Sequence, residues 1–439
     1  MATSKWRGDA EAVKQVDTIT FALTWATADT VAVTVGNTTL TLTVGTDTNT
    51  DEVALAVQEM MSGTTQTGTG DHTFSDTGDN RPEFNNDLVA TVSGDVVTVT
   101  AAVAGRPFTM SVVDTTAGDG TGVEATATAS AGPNHYDTAG NWTEGSVPGA
   151  GDEVTVENSN IPILYGLSNA GATLTSFTVE ANNGSNFRIG LPETNADDED
   201  DTYDEYRTTY LAIDCTTLNI GEGEGNGSQR IKIDSGTVET TLNVFKTSTA
   251  RLETGIPCLL WKGTHEDNDV NVVRGDLGIA IFAGETAKFE TMTVGWYDQP
   301  ASDSNVLIES GITHKAAGTI TQTGGTIETS SNVITVTVQG GTFTVSGAAT
   351  ATTITVNGGT CYYSSSGTLT TANVSDGGTF DFRRNNSSRT VTNCSRYEGG
   401  RIYDPLKTVT WTNGIDCVQC LFNDNIDCGP NRTWTPTAI

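Results

Sequence analysis

Gly324-Gly325-Thr326-Ile327 is the first of five similar phrases in the later part of the chain. Each phrase joins a Thr-rich apolar run to a Gly-Gly pair and then, one position further on, to an apolar residue; the other four are Gly340-Gly341-Thr342-Phe343, Gly358-Gly359-Thr360-Cys361, Gly377-Gly378-Thr379-Phe380 and Gly399-Gly400-Arg401-Ile402. Their second glycines are 16, 18, 19 and 22 residues apart. This period is too short for repeats of helical hairpins and is typical of one coil of a β-solenoid, whose coils stack at about 4.8 Å per rung.

The Gly-Gly pairs are predicted to form the sharp corners of the coils, because glycine reaches positive φ without a steric penalty. We place these corners at Gly325, Gly341, Gly359, Gly378 and Gly400. A single coil cannot bury its apolar face, so the coils must cover one another. The apolar residue that follows each corner is therefore predicted to point inward and to stack as a ladder made of Ile327, Phe343, Cys361, Phe380 and Ile402.

The composition of the 439 residues favours β structure with many turns. The chain has 48 glycines and only 17% charged residues, and Thr and Val are abundant. We predict a mainly β fold, in which a small N-terminal α+β domain is followed by a right-handed parallel β-helix. The net charge of −32 argues against nucleic acid and against an anionic membrane surface as partners, since both require Lys and Arg.

Four segments are predicted. They are an exposed N-terminal arm, a small α+β docking domain, a linker with the N-terminal cap of the solenoid, and the solenoid with its loop excursions, over residues 1–16, 17–132, 133–160 and 161–439. Trp6 is the only large side chain of the arm and is the predicted docking residue. Trp142 is predicted to plug the open end of the first coil.

Two local patterns define the predicted docking domain. Residues 51–61 have an acidic first turn and one apolar face, which predicts a helix that Gly63 ends. Alternating apolar and polar residues before and after it predict strands. The low-complexity Gly, Thr and Ala stretch 115–135 is interpreted as a linker.

No metal or cofactor is predicted. Of seven cysteines, only Cys417, Cys420 and Cys428 cluster, and they lack a fourth zinc ligand. The cysteine pairing stays open. The acidic run Asp197–Asp201 lacks the alternating spacing of a known calcium loop and is interpreted as solvated charge, with calcium as the alternative.

No catalysis is predicted either. The four histidines share no motif, and neither a Ser-His-Asp arrangement nor a phosphate-binding loop is present. The acidic residues form no identifiable pair of general acid and base. No apolar run is long enough to cross a membrane, and the start of the chain has no apolar export signal, so we expect synthesis in the cytoplasm.

Several stretches resemble one family. Trp6-Arg7-Gly8-Asp9-Ala10, the stretch 104–109, the pair Asn141-Trp142 and the region 161–231 are together similar to proteins encoded in tailed-phage genomes and, as prophage genes, in planctomycete and related genomes. The resemblance covers nearly the whole chain. It implies a virion structural protein on the particle surface, and it carries no assigned active site.

The expected function is a capsid decoration or a head or tail appendage that docks on major capsid or tail proteins through its N-terminal region, as a homotrimer. One alternative is a receptor-binding tail fibre or spike that recognises host-surface glycans. Sugars would then stack on aromatic residues outside the ladder, such as Trp261, Trp296-Tyr297, Tyr362-Tyr363 and Tyr403. The same aromatic residues are equally consistent with capping or covering the coils. A further alternative is a bacterial cell-surface β-helix protein.

Overall fold

The computed structural model describes residues 3–36, 38–74, 84, 88–115, 119–190, 209–227, 229–251, 255–295, 303–309, 311–418 and 426–427, with the backbone alone at 313–317. These residues form a long parallel β-solenoid and a smaller domain of two antiparallel sheets with one helix. The predicted fold class is confirmed in that the protein is mainly β and combines a small N-terminal unit of antiparallel sheets and one helix with a β-solenoid. No helix within these ranges is long and apolar enough to span a membrane.

The first strand, β1 (Thr3–Lys5), belongs to the solenoid, and the chain then enters the smaller domain. The elements of this domain are β2 (Val16–Ala22), β3 (Thr30–Val35), β4 (Thr38–Thr43), α1 (Thr50–Ser62), β5 (Thr73–Phe74), β6 (Leu88–Ser93), β7 (Val96–Ala101), β8 (Met110–Thr115) and β9 (Thr121–Thr128). The strands form two sheets of order β6-β7-β2-β9 and β5-β4-β3-β8. Both sheets and α1 enclose one apolar core.

Helix α1 begins and ends as its sequence predicts. The Asn49 side chain accepts a hydrogen bond from the Asp51 amide at 2.9 Å, and Gly63 adopts the left-handed conformation that closes the helix. The linker prediction for 115–135 is wrong in part. Thr121–Thr128 form β9, which pairs with β2 along its whole length, because Thr and Val fit a half-buried strand despite the low complexity of the stretch.

The solenoid resumes at β10 and runs to the last described residues. Its strands are β10 (Glu153–Val156), β11 (Ser168–Glu180), β12 (Arg188–Ile189), β13 (Leu211–Glu222), β14 (Arg230–Asp234), β15 (Thr241–Val244), β16 (Leu259–Lys262), β17 (Asp269–Val272), β18 (Gly275–Ile279), β19 (Ala287–Val294), β20 (Ser304–Ile308), β21 (Ile312–Gln322), β22 (Thr326–Thr329), β23 (Val333–Val338), β24 (Thr342–Val345), β25 (Ala351–Val356), β26 (Thr360–Tyr363), β27 (Leu369–Val374), β28 (Thr379–Asp381), β29 (Arg389–Arg396), β30 (Arg401–Tyr403), β31 (Val409–Trp411), β32 (Asp416–Cys417) and β33 (Ile426–Asp427). From β11 to β29 each strand pairs in parallel with the strand two places later, so one coil contributes two strands.

The five predicted ladder residues occupy one continuous stack. In the register of β22, β24, β26, β28 and β30, each lies opposite the next, and all are buried: Ile327, Phe343, Cys361, Phe380 and Ile402. A second stack runs through the other strand of every coil, from Val154 and Phe177 to Ala372 and Cys394. The two stacks belong to one uninterrupted apolar core.

Three of the five predicted corners have the expected geometry. Gly325, Gly341 and Gly359 have φ values of 71°, 77° and 68°. The predictions for Gly378 and Gly400 are wrong by one residue, because the preceding glycines of those pairs, Gly377 and Gly399, take the positive φ instead. Either member of a Gly-Gly pair can supply the turn, and the longer connection that precedes these two corners shifts it by one position.

The expectation of an exposed arm is wrong. Residues 3–5 pair with β10 as the first rung of the solenoid, and Val13 forms an antiparallel bridge with Ala131 through a 2.7 Å hydrogen bond. The α+β domain is therefore an insertion between the first two rungs. The chain enters and leaves this domain at neighbouring positions, near Val13 and Ala131. Residues 3–5 alternate exposed and buried, which is a strand pattern too short to recognise in a polar sequence.

Trp6 is accordingly a cap residue and is not available for docking, because it is almost fully buried. Its ring lies edge-on to that of Trp142 at 5.1 Å, and Trp142 in turn meets Tyr136 at 5.0 Å. The Trp142 indole donates a 2.8 Å hydrogen bond to the Tyr136 carbonyl. Residues 142–143 also pair with the outer edge of β1, so the aromatic cluster and this backbone segment close the end of the solenoid.

We expect Phe343→Asp to lower the free energy of unfolding by at least about 3 kcal/mol, because it removes a buried phenyl ring and places a charge in the core. The matched control is Thr342→Asp, whose side chain faces outward on the same strand. Urea unfolding followed by circular dichroism measures both. Equal losses in the two variants would contradict the inward ladder.

We expect Trp6→Ala to cost about 3–5 kcal/mol and to act locally, because a solenoid coil contacts only its neighbours. Hydrogen exchange should accelerate in β10 and β11 and remain slow in β24–β30. Trp411→Ala, at the other end of the core, should show the reverse pattern. Unchanged exchange at β10 in Trp6→Ala would mean that Trp6 does not cap the solenoid.

Candidate functional site

The aromatic residues predicted to stack sugars divide into two groups. Trp261 and Tyr363 are buried and belong to the core, so they are not available to a ligand. Trp261 donates to the Ser235 hydroxyl at 3.2 Å. Tyr362 and Tyr403 point outward from β26 and β30. The pair Trp296-Tyr297 lies outside the described residues.

Tyr362 and Tyr403 form, with two arginines, what we call the tyrosine–arginine patch (Tyr362, Arg383, Arg384 and Tyr403). The guanidinium carbon of Arg384 lies 3.3 Å from the centroid of the Tyr362 ring. That of Arg383 lies 4.9 Å from the Tyr403 ring. Each tyrosine ring thus carries a guanidinium group on one face, which is a favourable cation–π arrangement.

Asp381 lies between the two tyrosines on β28, opposite both in the strand register. Its carboxylate accepts hydrogen bonds from Nε of Arg383 at 3.0 Å and from Nη2 at 2.5 Å. This hydrogen bonding raises the pKa of Arg383. The acidic group of the patch is therefore neutralised by one arginine, and the second arginine adds an excess positive charge.

The two arginines begin a polar loop, Arg383-Arg384-Asn385-Asn386-Ser387-Ser388, between β28 and β29. Arg389 is buried beneath this loop and donates hydrogen bonds to the backbone carbonyls of Tyr363, Asn385 and Ser387. The Asn385 amide donates to the Ser364 carbonyl at 2.7 Å. A buried guanidinium group and a side-chain amide thus fix the backbone of an exposed loop.

The sequence pattern did not reveal the arginines, although one signal was present. The step of 22 residues between Gly378 and Gly400 is the longest of the five-phrase series, and the loop 383–388 accounts for the excess. It carries two of only 22 Lys and Arg residues in a strongly acidic chain. A lengthened coil with clustered basic and amide side chains is the kind of excursion on which solenoids carry binding groups.

A second cluster lies at the start of β13 and along β16. The Lys262 ammonium group is 3.6 Å from an Asp234 carboxylate oxygen and 3.7 Å from a Glu285 oxygen, and it lies 4.4 Å from the centroid of the Tyr210 ring. The Tyr210 hydroxyl donates to Glu285 at 3.2 Å, and so does the Phe282 amide. These groups form a structural network of ion pairs and hydrogen bonds. A carboxylate of this network could act as a general base only if these contacts were broken.

Glu239, His265 and Asp267 are the described residues whose ligand atoms approach a metal-binding geometry, with all three within 4.8 Å of one another. The Asp267 amide donates to Nδ1 of His265 at 3.2 Å, so that nitrogen is already occupied. Solvent-accessible groups of this kind are common without an ion. The acidic run 197–201, Cys420 and Cys428 lie outside the described residues, and the Cys417 side chain is half-buried.

The outer face of the sheet β6-β7-β2-β9 is the second candidate surface, and we call it the valine–threonine face. It carries no charged side chain, and its residues are Val16, Thr18, Thr20, Val89, Thr91, Ser93, Val96, Thr98, Thr100, Val123 and Ala125. Val89 and Val123 are 54% and 60% exposed. Of the eight exposed large apolar side chains in the described ranges, six lie between Val13 and Val123.

Comparisons of the chain with protein-family models, with curated proteins and with solved structures give no match. The candidate surfaces therefore stand on their own geometry.

We expect the thiols to react according to burial. Burial raises the pKa of Cys215 to about 12 and raises that of Cys361 as well, so neither forms the nucleophilic thiolate at pH 8. Iodoacetamide should leave Cys215 and Cys361 unmodified in the native protein and should alkylate both in denaturant, as peptide mass spectrometry measures. Alkylation of Cys361 in the native protein as fast as in denaturant would contradict the placement of Cys361 in the core.

Proposed function

We propose that the protein is a virion structural protein, a surface decoration or an appendage of a phage head or tail, which attaches through its N-terminal domain. The solenoid then projects from the particle. The resemblance of the sequence to phage and prophage virion proteins supports this proposal. So does the architecture, in which a compact domain and a long rigid solenoid meet at one end of the molecule.

The observation that carries the proposal is the valine–threonine face. In a chain of net charge −32, a sheet face without a single charge is a surface that can be covered without desolvating ions. Exposed apolar side chains gathered in one domain mark interaction surfaces more often than scattered ones. Major capsid or tail proteins are the proposed partners.

The junction between the two units favours a fixed orientation of the solenoid. The Val13–Ala131 bridge joins the two chain crossings, and the Gly105 amide donates to the Val13 carbonyl at 3.0 Å. The buried His135 places Nε2 3.0 Å from the Gly105 carbonyl. Two backbone crossings and a buried side chain give a stiffer joint than a single linker.

The remaining surface suits a passive display role. The acidic residues keep a long β protein soluble and oppose association between strand edges. We propose that the protein is not an enzyme, because the described Lys262 network has each of its groups engaged. Assembly as a homotrimer is part of the proposal, and a mass measurement in solution tests it.

A second candidate function, recognition of host-surface glycans, is favoured by one observation. The tyrosine–arginine patch sits on a rigid excursion of the solenoid, far along the chain from the docking domain. An attached protein could therefore present this patch outward while the valine–threonine face is covered.

We expect the double variant Val89→Glu with Val123→Glu to reduce binding to purified particles at least tenfold, because two charges would be buried at the attachment surface. Both side chains are solvent-exposed in the free protein, so its unfolding temperature should change little. Co-sedimentation with particles of the phage or prophage that encodes the chain measures the effect.

The matched control for this experiment is Val113→Glu, since Val113 is equally exposed but lies on the outer face of the other sheet. It should bind like the unmodified protein. Full binding by the double variant would remove the valine–threonine face from the proposal, and loss of binding in Val113→Glu alone would move the attachment surface to the second sheet.

A further inference from the structure

We infer that the tyrosine–arginine patch, together with the loop 383–388, binds a carboxylate-bearing polysaccharide that lies parallel to the solenoid axis. The inference rests on the second proposed function, recognition of glycans, and names its ligand class; it does not depend on attachment through the valine–threonine face. It follows from the charge, the direction and the rigidity of this surface.

Arg384 supplies the carboxylate-binding group. In the part of the chain that the structure describes, the Arg384 guanidinium group makes one cation–π contact, with the face of the Tyr362 ring. The Tyr362 ring occupies one side of the guanidinium group, and the N–H groups at its edge can serve a ligand. Such an edge matches a carboxylate through two parallel hydrogen bonds, and the ring beneath holds the group in place.

Asp381 does not oppose an acidic ligand, because Arg383 neutralises it. The hydrogen bonds to this carboxylate come from Nε and Nη2 of Arg383 and leave Nη1 without a bond to it. Arg401 lies exposed on the same strand as Tyr403 and adds a further positive charge. Asp427 is exposed opposite Tyr403 on the next rung. Arg383, Arg384 and Arg401 still outnumber the two carboxylates of Asp381 and Asp427, so the local balance is positive, although the chain as a whole is strongly acidic.

The direction of the patch indicates an elongated ligand. Tyr362, Asp381 and Tyr403 occupy successive rungs, each opposite the next in the parallel register. With a rung spacing of about 4.8 Å, the patch extends about 10 Å along the axis. The two tyrosine–arginine pairs lie two rungs apart along this axis, and such a spacing fits a polymer with a repeated group better than a compact molecule.

The loop supplies the groups that bind sugar hydroxyls. Asn386, Ser387 and Ser388 are exposed and offer amide and hydroxyl donors and acceptors next to the arginines. The buried Arg389 holds three carbonyls of this region, so the loop is ordered before a ligand arrives. Preorganisation of this kind removes part of the entropic cost of binding.

The test is isothermal titration of the full chain with an oligoglucuronate at low salt. We expect saturable binding that weakens as sodium chloride is added, because part of it is electrostatic. Arg384→Gln should weaken the affinity at least tenfold without changing the unfolding temperature. Asn386→Ala should weaken it several-fold. The matched control, Arg274→Gln, removes the same charge from an exposed arginine on another part of the solenoid and should bind normally.

Two comparison ligands separate this inference from simpler ones. The carboxyl-reduced oligomer should bind at least tenfold more weakly than the oligoglucuronate, and equal binding would overturn the role of the carboxylate. Free acetate should compete only at much higher concentration, and competition at equal concentration would reduce the patch to a simple anion site. Absence of binding, or equal weakening by Arg274→Gln and Arg384→Gln, would overturn the inference as a whole.

Discussion

The parallel register between successive coils is the constraint on which the rest of the structure depends. Every coil leaves its backbone hydrogen-bonding groups and its apolar side chains incomplete until the next coil covers them. Two stacks, one from Ile327 to Ile402 and one from Val154 to Cys394, pair the backbone groups of neighbouring coils and bury their apolar side chains at the same time. A stack of this kind has two vulnerable ends, and at the first end Trp6, Tyr136 and Trp142 close the core.

The sequence predicts the part of the fold that repeats. Five Gly-Gly phrases were enough to place Phe343 and its neighbours in the core, because an apolar residue at a constant distance from a glycine corner can face only one way. The corner shift to Gly377 and Gly399 escaped prediction because both residues of each pair are glycines. Features that occur only once in the sequence were the hardest to predict. The pairing of residues 3–5 with β10, about 150 positions later, leaves no periodic trace, and so the buried Trp6 was predicted to be a docking residue.

The two candidate surfaces could be predicted from the sequence to different degrees. Alternation along β2, β6 and β7 indicates which residues face outward, so the uncharged sheet face could be derived once the pairing was known. The tyrosine–arginine patch depends on side chains from β26, β30 and the connecting loop, which only the coil register brings together. The burial of Arg389, which fixes that loop, conflicts with the usual exposure of arginine and is visible only in the structure.

We propose that the valine–threonine face at the capped end serves attachment and that the tyrosine–arginine patch on the solenoid serves recognition. Electron cryomicroscopy of particles that carry the protein tests this division most directly. The account predicts the two-sheet domain against the particle surface, with the valine–threonine face in contact and the solenoid extending away so that Tyr362 and Arg384 face solvent. A solenoid lying flat on the particle, or an N-terminal domain at the distal tip, would contradict it.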